Sequence, residues 1–338
     1  MCFNARLTPQ LMGLFMNKNK KLNLFSLLLL SFLSVNSQAD SSNISDIQRT
    51  AAVKATVKNN KLCTQLGDFY WEIGDKNGVL GSGKRGFFFG RNTLYQLASS
   101  SKFPFIAYLL EKKIKEPTPE QLPYMQMSSG YSGYNPGYCI FASTVSGCFH
   151  LWEADTRNDP QVGLFNYSDG HDNKLAIDLG MGSYSIFSLT RELRSTLGND
   201  TGFFYSIPDV VGGLNATAAG YAKFLQNLLS QKYRLYNFLG THPICTYPKA
   251  CSTAVRSPLK ENWHYSLNHW VEDDPVNGDG AFSSVGLYGF YPWISADKKL
   301  YGILARSGLP ELSAWPSVKC GRSLRKAWVT GEEVVYQP

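Results

Sequence analysis

The sequence predicts an α+β fold, an α/β sandwich in which an antiparallel sheet is built from both chain ends and flanked by helices. A mainly helical segment is inserted between the two halves of the sheet. Three observations predict it. Strand-like runs occur near both ends, in "DFYWEIGDKNGVLGSGKRG" and "GFYPWISADKKLYGILAR". Helical patterns lie between them, in "SLTRELRSTLG" and "ATAAGYAKFLQNLLSQK". Cysteines stand near both ends, Cys63 and Cys320, where a bridge would tie the two halves together. With 338 residues, 43% hydrophobic and 17% charged, the chain has the material for a sizeable core.

The elements follow in chain order. The first 39 residues read as a secretory signal: a lysine-rich start from Met16, an apolar stretch from Leu22 to Val35, and small residues at Ser37 and Ala39. The apolar stretch is short for a span, which needs about 20 residues, so cleavage before Asp40 is expected rather than anchoring. Cleavage removes four basic residues and no acidic one, which lowers the formal charge from +7 to +3. No nucleic-acid footprint is implied, and no stable membrane span after cleavage. An exported chain is expected to be secreted or periplasmic. Asn77-Gly78 then centres a hairpin, and an amphipathic helix follows Ser99, with Phe103, Ile106, Ala107, Leu110 and Ile114 at helical spacing. Residues 115–165 are rich in Pro, Gly, Ser and Tyr and read as long loops. "SVKCGRSLRKAWVTG" closes the chain as a helix ending at glycine. The organisation expected is a signal over 1–39, a sheet-plus-helix domain over 40–92 and 252–338, and a mainly helical insertion over 93–251.

Cys2 leaves with the signal, and six cysteines remain: Cys63, Cys139, Cys148, Cys245, Cys251 and Cys320. An even number in an exported chain suggests disulfides. Pairing sequence neighbours, Cys139–Cys148 and Cys245–Cys251, is the simplest arrangement and leaves Cys63–Cys320; buried free thiols are the alternative. Zinc is not indicated, because no C-x-x-C or H-E-x-x-H spacing is present. His264 and His269 read as surface or sheet residues, and the Tyr-rich stretch 128–138 as a disulfide-tied loop. Glycosylation sequons begin at Asn43, Asn166, Asn199 and Asn215.

One glycine-rich stretch imitates a phosphate-binding loop. "GVLGSGKR" carries Arg85 where the loop's Ser or Thr would hold magnesium, and no helix pattern follows it. It reads as the second strand of the hairpin.

The chemistry is concentrated at "LASSSKFPF". S-x-x-K occurs at Ser99, Ser257, Ser295 and Ser323, but only Ser99 stands where a helix begins. Residues three apart share a helix face, so Lys102 can reach the Ser99 hydroxyl. A helix start also offers free N–H groups to a developing oxyanion. Serine needs a base before it attacks, and lysine can serve. The bland alternative is a capping serine beside a surface lysine. Two further segments weigh against it: Tyr167-Ser168-Asp169 in a loop, and Ser284-Val285-Gly286 entering a strand pair.

In this order the three elements resemble those of the serine β-lactamase and penicillin-binding-protein superfamily, especially its class C and esterase-like branch. There the pattern is S-x-x-K, then Y-x-N, then K/H-x-G on a strand. "VVGGLNATAAGYAKFLQNLL" (210–229) and "WHYSLNHWVE" (263–272) are similar to further family segments. The resemblance spans most of residues 60–330. It implies a β-lactamase/DD-peptidase-like fold and a serine hydrolase cleaving an ester or amide through an acyl-enzyme, with no metal or cofactor. It makes Ser99 the nucleophile and Lys102 with Tyr167 the proton-transfer pair. The oxyanion hole would be the N–H groups of Ser99 and Leu287, the residue after Gly286. Asp169 stands in place of Asn in the second motif, which unsettles its contact with a substrate amide. Ser284 stands in place of the cation of the third, so a partner for a substrate carboxylate is missing; Arg306 could compensate if it faced the cleft. Pro104 is tolerable only in a first helical turn, so the helix should begin at Ser100 or Ser101 or be distorted there. Substrates of this class are small molecules or peptide-like. The alternative function is an inactive scaffold of this type that binds a cell-wall or peptide ligand without turnover.

Overall fold

A computed structural model describes residues 44–134, 136–151, 155–310 and 312–336. The expected signal segment, its cleavage point and Asn43 lie outside the described residues. The α+β reading holds. Eight strands form one sheet in the order Gly78–Arg85, Phe69–Asp75, Tyr301–Ala305, Tyr291–Ile294, Ala281–Ser283, Trp270–Glu272, His264–Tyr265 and Ile244–Cys245. Every pair is antiparallel, and the seam between the chain ends pairs Tyr70 with Ala305 and Gly74 with Tyr301. The strand Ile244–Cys245 lies within the segment 93–251 expected to be mainly helical.

The period-2 rule decides which side chain serves which face. Phe69, Trp71, Ile73 and Leu304 join a core with the terminal helices Asp46–Asn59 and Ala314–Thr330. Tyr70, Tyr301, Ile303 and Ala305 point to the opposite face and join the helices Lys102–Lys112, Ile186–Leu197 and Ala218–Leu229. The first helix is held by a capping box, Ser45 with Gln48, and the last ends on Gly331 in the left-handed region, φ 70°. Helix Ala218–Leu229 is capped by the Thr217 hydroxyl and lies against Tyr301–Ala305 on the insertion side. A small sheet, Leu94–Gln96 beside Leu214–Thr217 and then Phe204–Tyr205, leads the chain into the Ser99 segment.

Three cysteine pairs are joined, Cys63–Cys320, Cys139–Cys148 and Cys245–Cys251, with Cα separations of 4.8, 4.8 and 6.4 Å. The first links the helical turn before the hairpin to the last helix across 257 residues. Among the described residues no helix is long and apolar enough to cross a membrane.

Candidate active site

The strand Leu94–Gln96 ends in a sharp turn at Ala98, whose φ of +45° is rare for a residue with a side chain. A 3₁₀ turn, Ala98–Ser101, leads directly into the α-helix Lys102–Lys112. The helix start is distorted at Ser100 and Ser101, one of the outcomes Pro104 suggested, and Pro104 sits in the first α-helical turn, where its missing N–H costs nothing. This helix is buried from Lys102 to Leu110, so the segment is fixed from all sides.

The three serines have different fates. Ser100 and Ser101 are fully buried. The Ser100 hydroxyl is bonded to the carbonyls of Ser284 (2.6 Å) and Phe290 (2.9 Å), and the Ser101 hydroxyl donates to the Ala98 carbonyl (2.6 Å). Ser99 alone is partly open to solvent, and Lys102 Nζ lies 3.2 Å from its Oγ. Lys102 is only 1% exposed. Its ammonium lies against the Asp169 carboxylate and 5.0 Å above the Tyr167 ring centroid. Tyr167 is held by aromatic packing, stacked on Trp270 at 5.3 Å and edge-on to Tyr265 at 5.9 Å. Ser99, Lys102, Tyr167 and Asp169, separated by up to 70 residues in sequence, therefore meet at one point.

Electrostatics at that point are one-sided. Burial alone would pull the Lys102 ammonium below its ordinary range, but Asp169, Tyr167 and Asp172 outweigh it and hold the ammonium well above. Burial pushes the Tyr167 phenol up; Lys102 pulls it back, Asp169 pushes it up again, and hydrogen bonds with Ser99 and Lys102 favour ionisation. Sequence reasoning missed two further carboxyls. Asp172 is fully buried and raised by that burial to about 8, with Asn268 Nδ2 donating to Oδ1 at 2.6 Å. Asp209 is fully buried and raised to about 7, again chiefly by burial, although Asn173 and the N–H groups of Val211 and Gly212 donate to its Oδ1. The second oxygen of each, Asp172 Oδ2 and Asp209 Oδ2, has no hydrogen-bond partner among the described residues. Gly212 permits this crowding: a Cβ there would stand 2.4 Å from Asp209 Oδ2 and 3.1 Å from Asp169 Oδ2. A signal existed in "SDGHDN" and "PDVVGG", since Asp172 follows Asp169 by one helical turn and Asp209 precedes the glycine pair.

The third segment closes the site from the sheet. Gly286 abuts the Ser99 turn so closely that a Cβ would lie 2.2 Å from the Leu97 carbonyl oxygen. Residues 286–290 form a tight turn, with Gly286 N–H donating to the Phe290 carbonyl at 2.8 Å. Leu287 is 37% exposed, and its N–H has no partner among the described residues. Ser284 is brought to the site but buried, and its hydroxyl donates to the Ser99 carbonyl at 2.9 Å. It braces the Ser99 turn. Arg306 lies on the opposite face of the sheet, among Leu62, Leu66 and Pro316, and bonds the Ser313 hydroxyl at 3.1 Å. It does not supply the missing cation.

Of the two histidines, His264 pairs with Asp273 at 2.8 Å near the surface. His269 is fully buried: one ring nitrogen bonds the Leu267 carbonyl at 2.7 Å, the other accepts from Gly240 N–H at 2.9 Å, and the ring packs on Phe103. Asn166, a sequon residue beside Tyr167, is buried and bonded to Gln161.

No protein-family model matches the sequence, and no curated relative matches it. Solved structures match its fold. A penicillin-binding protein homologue from Caulobacter crescentus superposes with a TM-score of 0.62 at 12% identity, covering 84% of this chain and 97% of its own. EstCE1, a hydrolase with promiscuous acyltransferase activity, gives 0.57 at 11% identity, covering 85% and 99%. A β-lactamase from Mycobacterium bovis gives 0.52 at 15% identity, covering 78% and 96%. The chain has the fold shared by β-lactamases, penicillin-binding proteins and esterases of this type.

Proposed function

We propose that the chain is an exported serine hydrolase that cleaves an ester or amide through an acyl-enzyme on Ser99. The observation that carries this reading is that Ser99 is the one solvent-reachable serine of its triplet and has Lys102 Nζ at 3.2 Å, with Tyr167 beside both. Ser99 Oγ attacks the carbonyl carbon while its proton passes to the Lys102/Tyr167 pair. The N–H groups of Ser99 and Leu287 receive the oxyanion. The same pair returns the proton to the leaving group, and water then releases the acid. The three cysteine pairs suit an oxidising compartment, secreted or periplasmic. The division into a sheet-plus-helix domain and an inserted helical domain that carries Ser99 belongs to the same proposal.

The substrates proposed are neutral short-chain esters rather than penicillins. A charged hydrogen bond to a carboxylate is worth roughly 1.5–3 kcal/mol against about 0.5–1.5 for a neutral one. Here Ser284 offers no cation, its hydroxyl is already bonded to Ser99, and Arg306 faces away.

The test is intact-mass analysis after exposure to a fluorophosphonate, p-nitrophenyl butyrate and a penicillin, at pH 7 and pH 9. One adduct should form on the wild type and none on Ser99→Ala, while Ser100→Ala should still be labelled. A protein that stays unlabelled at both pH values is a binder without turnover. A kcat/KM higher for the penicillin than for the butyrate ester would overturn the substrate preference alone.

A further inference from the structure

The most unusual feature of the site is its charge count. Seven titratable groups face Lys102 or one another from every surrounding element. They are Asp169, Asp172 and His171 around the helix Gly170–Ala176, Tyr167 before it, Asp209 from the loop before Gly212, Tyr134 from the disulfide-tied loop and Tyr265 from the sheet. His171 is buried and neutral, its ring nitrogens bonded to Ser129 and to the Asn166 carbonyl. Lys102 is thus the one cation of this group, set among three carboxyls.

We propose that Asp169 is a positioning residue that fixes the charge of the site: its carboxylate keeps Lys102 an ammonium, so Ser99 becomes reactive only in alkaline medium. This inference rests on the hydrolase reading and concerns one residue of the same site. Geometry leaves Asp169 little other use. Its side chain is 11% exposed, one oxygen is committed to Lys102, and the other faces the glycine pair at Gly212.

The direction of the effect does not depend on which group is the base. For Ser99 Oγ to attack, its proton must go either to a neutral Lys102 amine or to a Tyr167 phenolate. A negative charge at Asp169 raises the proton affinity of both. Replacing it by the neutral amide of the similar pattern lowers both, so the free base appears at lower pH. A charge this close typically moves such a group by about one to three pH units.

The experiment compares wild type with Asp169→Asn and Asp169→Ser from pH 5.5 to 10.5. It follows kcat/KM on p-nitrophenyl butyrate and the rate of fluorophosphonate labelling. In both variants the midpoint of the acid limb should fall by at least about one unit, and labelling at pH 7 should speed up at least about threefold. An unmoved or raised midpoint overturns the inference, as does slower labelling at every pH. The Lys102 13Cε resonance, assigned by its loss in Lys102→Met, gives a readout independent of turnover. It should keep its ammonium shift through pH 10 in the wild type and titrate earlier in Asp169→Asn. If the wild type is never labelled, the hydrolase reading fails, and this titration still decides the role of Asp169: coincident curves in the two proteins would refute it.

Discussion

Two buried charge clusters, around Arg325 and around Lys102, are built on opposite principles. Between the sheet and the last helix, Arg325 is 3% exposed, and each of its three guanidinium nitrogens has a partner. Its Nε and Nη2 reach Asp279 at 2.6 and 2.8 Å, Nη2 also reaches Glu272 at 2.6 Å, and Nη1 meets the Tyr291 hydroxyl at 3.0 Å. Tyr291 in turn donates to Glu272 at 2.6 Å, and the guanidinium lies 4.9 Å over Trp293. On the insertion side, Lys102 faces Asp169, Asp172 and Asp209, and two carboxyl oxygens there are left without partners. Burying charge is tolerable only when pairing and hydrogen bonds replace water. The Arg325 cluster meets that condition and holds the terminal helix to the sheet. The Lys102 cluster does not meet it, and the cost is retained beside the one reachable serine.

The sharpest way to separate the two is to remove one polar atom from each. Tyr167→Phe keeps the ring that stacks on Trp270 and deletes only the hydroxyl. We expect kcat on p-nitrophenyl butyrate to fall by on the order of 10²–10⁴, with the urea midpoint nearly unchanged. An unchanged kcat would remove Tyr167 from the proton path. Arg325→Met should do the reverse. It leaves Glu272, which is fully buried, without its cation, a lesion typically costing about 3–5 kcal/mol. The folded fraction should keep its kcat. A loss below about 1 kcal/mol by urea titration would show that Tyr291 alone can satisfy Glu272.

How much of this was legible in the sequence follows from interaction range. Ser99 and Lys102 are three residues apart, so their meeting is local and readable. The hairpin is marked by Asn77-Gly78, and the strand pair 291–305 by two apolar runs around a turn, both of them local signals. Strands of two or three residues, such as Ile244–Cys245 and His264–Tyr265, are too short to show any period, and tertiary pairing alone creates them. Asp172 and Asp209 carried only the weak signal of their spacing, because an aspartate on a helix or before a glycine pair ordinarily faces water. Tertiary packing buries them: Gly212 lies against Asp209 and Asp169, and Asn268 bonds Asp172. The Ala98 turn, φ +45°, could not be foreseen either, because alanine carries no signal for it. Ser284 lies next to Ser99 with its hydroxyl pointing to the Ser99 carbonyl, a direction that sequence order does not specify.

The smallest expected effect tests whether the excess of acid is a cost to the fold. Asp172 has a carboxyl raised to about 8 in the folded chain, against an ordinary value near 3.8 when exposed. Between those values the folded state binds a proton that the unfolded state has lost. Stability from this group is therefore present below about pH 4 and is lost as pH rises toward 8. Asp209, raised to about 7 by the same burial, has the same sign. Asp172→Asn keeps an oxygen to accept from Asn268 and cannot ionise. Its stability relative to the wild type should rise by about 1–3 kcal/mol between pH 5 and pH 8, less than the full shift implies because Lys102 partly compensates the charge. Urea titrations at the two pH values measure the difference. The same substitution in the other cluster, Glu272→Gln, should destabilise at both pH values, since it weakens a pair that is already satisfied. If Asp172→Asn instead lost stability relative to the wild type between pH 5 and pH 8, the carboxylate would be a partner that Lys102 needs, and the contrast between the two clusters would collapse.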